Sequence, residues 1–139
     1  MKFMKILIIL LILSFRAYSP GNKVVSVYMT EPIQPYEAIW RATCKVESNN
    51  NPLAIGDKHL RKKSYGIAQI RQSRLDDYYR QTGIRYTVQD MFDPEKARNV
   101  FMFYACLDME ATARNWNGGP DGMNKRSTIP YWRKIKSHL

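Results

Sequence analysis

Cysteine and histidine are scarce, at two residues each in a chain of 139. Two cysteines exclude a disulfide-dense scaffold. Neither Cys-x-x-Cys nor His-Glu-x-x-His spacing occurs, so no metal and no cofactor is expected. Acidic residues are also few, 12 Asp and Glu against 22 Lys and Arg, for a net charge of +10. The basic residues are scattered along the chain, which excludes a polybasic disordered tail. Long apolar runs are lacking too. The longest is Ile6 to Leu13, far short of the ~20 residues that span a bilayer, so no stable membrane span is expected.

That short run has a different meaning at an N-terminus. Lys2 and Lys5 precede it and Ala17-Tyr18-Ser19 follows in small-x-small form, the layout of a secretory signal. We therefore expect residues 1–19 to be a signal peptide with an uncertain cleavage site, because Pro20 hinders cutting after Ser19. Residues 20–35, with Pro20, Gly21, Pro32 and Pro35, read as an extended lead-in, and 36–139 as one domain. Export to the periplasm or the extracellular space follows. Without residues 1–19 the chain keeps 19 basic against 12 acidic residues, a net +7. Partners should then be anionic, with wall polymers favoured over nucleic acid in that compartment.

Helical periodicity dominates the rest. Pro35 suits a first helical position, and Ile39, Trp40, Thr43, Cys44 and Val46 recur on one face up to Ser48. Asn49-Asn50-Asn51-Pro52 stops that helix. Leu53 to Ile70 has no helical period and reads as loop with at most a small β-hairpin. Ser73 with Asp76 opens a short helix that Gly83 closes, and Thr87 with Asp90 marks a turn. Asp93 and Pro94 start the longest helix, whose stripe Ala97, Val100, Phe101, Tyr104, Leu107 and Ala111 runs toward Ala113. A last helix covers about Pro130 to His138. The fold class expected is mainly α, or α+β with a minor sheet.

Glu47 is the first candidate for chemistry. It sits in the last turn of a helix, where the negative end of the dipole and apolar packing both disfavour a carboxylate anion. Around it a set of short motifs recurs in order: Glu47-Ser48, Asn51-Pro52-Leu53-Ala54, Tyr65-Gly66-Ile67-Ala68-Gln69-Ile70, Asp93-Pro94-Glu95, Asn115-Trp116-Asn117-Gly118-Gly119-Pro120 and Tyr131. This order resembles the soluble lytic transglycosylase-like domain of the lysozyme-like superfamily, across about residues 36–137. Ile67-Ala68, Asn115-Trp116 and Gly118 depart from its Leu-Met, Ala-Tyr and Ala.

The resemblance implies a lysozyme-like α+β fold and a peptidoglycan lytic transglycosylase. It would split the MurNAc-GlcNAc β-1,4 bond and leave 1,6-anhydromuramyl ends. Glu47 would be the sole acid/base, with Ser48, Tyr65, Gln69, Trp116, Asn117 and Tyr131 binding substrate. The implied partners are peptidoglycan glycan strands, with a secretion or conjugation apparatus as a further candidate, and a monomer is expected. Two alternatives stay open. Asp57, ten residues beyond Glu47, would supply the second carboxylate of a hydrolytic lysozyme if it faced Glu47. A catalytically inactive, cationic wall-binding module is the other. Cys44 and Cys106 form either a disulfide or two buried thiols. A Cys-His peptidase built from them is disfavoured because both fall on apolar helix faces.

Overall fold

The computed structural model describes residues 35–139. The expected signal peptide and lead-in therefore lie outside the described residues. Five helices and one small sheet follow in order: α1 Pro35–Ser48, β1 Ile55–Gly56, β2 Ser64–Tyr65, β3 Ile70–Arg71, α2 Gln72–Thr82, α3 Pro94–Tyr104, α4 Met109–Gly118 and α5 Ile129–Lys136. Single 3-10 turns at Gln89–Phe92, Gly122–Asn124 and Arg126–Thr128 join them. None of the described helices is long and apolar enough to cross a membrane.

Helix α1 has the start and stop its sequence dictates. Pro35 stands at its first position, and Asn49 and Asn50 end it in the left-handed region, with φ of 55° and 63°. Their amides close the last turn onto the carbonyls of Lys45 and Cys44, so the exposed end of the helix is satisfied. The helix packs against α3, α4 and α5. Ile39, Trp40, Val100, Phe101, Ala113, Trp116 and Ile135 fill the space between them. The Phe101 ring lies 5.2 Å from Trp40 and 4.9 Å from Trp116. Burying each such side chain contributes roughly 1.5–3 kcal/mol.

The sheet differs from the expected hairpin. It has three antiparallel strands in the order β1-β2-β3, pairing Ile55 with Tyr65, Gly56 with Ser64, Ser64 with Arg71 and Tyr65 with Ile70. Two-residue strands give no periodicity to read, which is why the third strand was invisible. Ala68 and Ile70 anchor the sheet in the helical core. Gly66, at φ 75°, lets the β2–β3 turn approach the neighbouring 3-10 turn. A Cβ there would stand 1.8 Å from the Met91 carbonyl oxygen.

Two helix expectations are corrected. Helix α2 begins at Gln72 with extended Arg71 before it and no side-chain cap, so Ser73 lies inside the first turn. Asp76 does not complete a capping box; it accepts a hydrogen bond from Gln72 Nε2. The single long helix from Asp93 to Ala113 is in fact α3 and α4, broken after Tyr104. Asp93 caps the first as expected, accepting from the amides of Glu95 and Lys96. Asp108 caps the second by accepting from the Ala111 amide. Thr112 reinforces the break, since its hydroxyl accepts from the Cys106 amide and donates to the Cys106 carbonyl. Leu107, assigned to an apolar stripe, is consequently 77% exposed.

Candidate functional site

The C-terminal turn of α1, the sheet, α2 and the end of α4 surround an open cleft of about 940 Å³. Glu47, Asp57, Gln69, Arg74, Trp116 and Asn117 are among its lining residues. Glu47, Gln69, Trp116 and Asn117 therefore line one cleft. Glu47 is partly buried, and its carboxylate accepts a 2.7 Å hydrogen bond from the Tyr131 hydroxyl of α5. Burial raises the Glu47 pKa above its ordinary value; the Tyr131 hydrogen bond opposes this and the nearby Asp57 charge adds to it. Burial and the adjoining Glu47 likewise push the Tyr131 hydroxyl up, so it stays a donor.

The remaining expected residues are turned to other work. Ser48 donates a 2.8 Å hydrogen bond to the Ile67 carbonyl and accepts from the Asn51 amide, tying the end of α1 to the β2–β3 turn. Gln69, at φ 54°, donates to the carbonyls of Gly66 and Ala54 and accepts from Ser64. Both polar atoms of its side-chain amide are thus engaged by the sheet and its flanking turns. Trp116 is only 7% exposed, and its indole N–H donates to the Ala68 carbonyl. Tyr65 packs edge-on against Phe92 and lines a separate pocket, away from the Glu47 cleft. Asn117 is exposed at the rim.

Asp57 does reach the same cleft as Glu47. It adopts φ 52° and is held at 2.8 Å by Arg71 and at 3.1 Å by Ser64. The Arg71 hydrogen bond keeps its carboxyl below the usual carboxylate range. The two cysteines are free thiols, so the disulfide alternative is corrected. Cys44 is buried, and its thiol is pushed up to about 12 by burial. Cys106 is exposed in the α3–α4 break and not on a helix, because the helix it was assigned to ends at Tyr104.

Arg74 escaped the sequence reading. Its guanidinium stacks 4.3 Å from the Trp116 ring centre and 4.8 Å from that of Tyr104, and donates to the Trp116 carbonyl. Tyr104 in turn donates to Asp77 at 2.8 Å. This network closes the far wall of the cleft. Its members lie tens of residues apart, and only the helical spacing of Arg74 and Asp77 links any two of them in sequence. Among the described residues no group of His, Cys, Asp and Glu could hold a metal ion.

No family model matches the chain, and no curated protein matches it. A solved structure does. A chain from the crystal structure of Aeromonas hydrophila PliI in complex with Meretrix lusoria lysozyme is 25% identical, with a TM-score of 0.62 over 73% of this chain and 88% of that one. The similarity thus lies with a lysozyme-binding complex, and the resemblance to the soluble lytic transglycosylase-like domain is corrected. The lysozyme-like α+β class, the lyase with its anhydromuramyl products, and peptidoglycan strands as partner all rested on that resemblance and go with it. Short motifs shared in order misled because Ser48, Gln69 and Trp116 serve the packing of this fold. Export stands: the chain is periplasmic or extracellular.

Proposed function

We propose that this chain is a non-catalytic binding protein whose partner is a lysozyme. The observation that carries the reading is the likeness to a chain from the complex of Aeromonas hydrophila PliI with Meretrix lusoria lysozyme. The cleft supports it. Gln69, Ser48 and Trp116 spend their polar groups inside the protein and Asp57 is paired with Arg71, which leaves few of the cleft's polar groups free to grip a sugar chain. Glu47 and Tyr131 are then a recognition pair, with Asn117 exposed at the rim.

The test is the clearing of a peptidoglycan suspension by Meretrix lusoria lysozyme with increasing amounts of this chain. Dose-dependent slowing, with no clearing by the chain alone, is the expected result. Clearing by the chain alone that disappears in Glu47→Gln refutes the reading.

A second reading takes the other component of the same crystal, the lysozyme, and one observation favours it. Glu47, with its raised pKa, and the ionised Asp57 line one cleft, the pairing of a carboxylic acid with a carboxylate that glycoside hydrolysis uses. In that case the clearing assay is positive for the chain alone. The released saccharides then carry ordinary reducing ends, one water heavier than anhydro ends.

A further inference from the structure

Beside the main cleft, on the other side of Arg71, lies a second cavity of about 410 Å³. Arg61, Lys62 and Lys63 line it, and none of the three has an ion-pair partner among the described residues. Arg71 lines both cavities and is paired with Asp57 on the side of the Glu47 cleft. The acid facing the cavity is Asp76, whose Oδ1 already accepts from Gln72. Gln72 and Ser73 of the first turn of α2, which has no side-chain cap, border the same space.

Arg61, Lys62 and Lys63 are exposed along one wall of this cavity, where neighbouring like charges repel one another and an anion relieves that repulsion. We propose that this cavity is an oxyanion-binding site. Arg71 would be its inner wall and Arg61, Lys62 and Lys63 its outer one. Glu47 and Tyr131 do not line this cavity, so the site uses neither member of the main cleft's pair.

Titration of the full chain with fluorescein-labelled hexaglutamate and with inorganic tripolyphosphate tests this. The variant is Arg61→Gln, Lys62→Gln and Lys63→Gln together. Its charge-matched control is Arg133→Gln, Lys134→Gln and Lys136→Gln on α5, which removes the same three positive charges elsewhere. We expect the cavity variant to bind at least tenfold more weakly and the control to bind within twofold of the parent, with binding weakened by salt. Loss for one probe alone assigns the site to carboxylate or to phosphate. Equal weakening in both variants, or no weakening in the cavity variant, overturns the proposal. If the triple variant loses its thermal transition, Lys62→Gln alone, expected to weaken binding two- to threefold, decides the matter in the same way.

Discussion

Replacing Glu47 with glutamine should make the fold more stable at neutral pH, against the usual outcome of altering a partly buried polar residue. Burial raises the Glu47 pKa in the folded chain. In the unfolded chain the group titrates at its ordinary ~4.3. The folded state therefore binds more protons than the unfolded state between these two values. Stability is complete below the unfolded value and falls as pH rises through the window, because ionising the carboxyl in its site costs more than ionising it in water. Each tenfold difference between the two acid constants is worth about 1.4 kcal/mol. For a domain of this size, 1 kcal/mol moves the midpoint of thermal unfolding by roughly 4–8 °C. Glutamine keeps the shape and still accepts the Tyr131 hydroxyl bond seen at 2.7 Å, but it cannot ionise. Thermal melts of both proteins by circular dichroism from pH 4 to pH 7 should superpose near pH 4 and diverge as pH rises, with the variant melting several degrees higher at pH 7. A variant that melts lower than the parent by the same amount at every pH would show that burial does not set the state of this carboxyl.

Three further outcomes follow from named contacts. Gly66→Ala places a methyl group against the Met91 carbonyl in a left-handed backbone, and should lower the free energy of urea unfolding by about 3 kcal/mol. Asp108→Ala removes the cap of α4 and should lose about 1 kcal/mol in the same assay, with helix content at 222 nm falling at the α3–α4 break. Native protein should react with one equivalent of a thiol reagent, at exposed Cys106, and with two after denaturation, because Cys44 is buried and its thiol lies far above neutral pH. No reaction before reduction would restore the disulfide.

Legibility in the sequence followed the length and locality of each signal. Helix α1 was readable from Pro35 through Asn50, since proline, helical periodicity and a pair of asparagines each act within one or two turns. The same holds for the Asp93 cap and for Gly83, which closes α2 at φ 73°. The break between α3 and α4 was missed although its marker, Asp108, was present. An apolar stripe that continues through Leu107 outweighs a single capping residue when only periodicity is weighed. In the cleft, Glu47, Gln69, Trp116 and Asn117 sit in legible motifs, whereas the hydrogen bonds that occupy Gln69 and Trp116 are set by packing across the chain.

Composition and periodicity by themselves determined an exported, cationic, largely helical domain with a carboxyl at the end of its first helix. Only the tertiary structure decided that Tyr131 meets that carboxyl, that Arg71 occupies Asp57, and that Gln69, Ser48 and Trp116 face inward. Residue order specifies which groups a chain carries and, through local propensity, which helices they ride on. Whether a polar group is free for a partner depends on which other groups packing brings within 3 Å of it, and those lie up to 84 residues away along the chain.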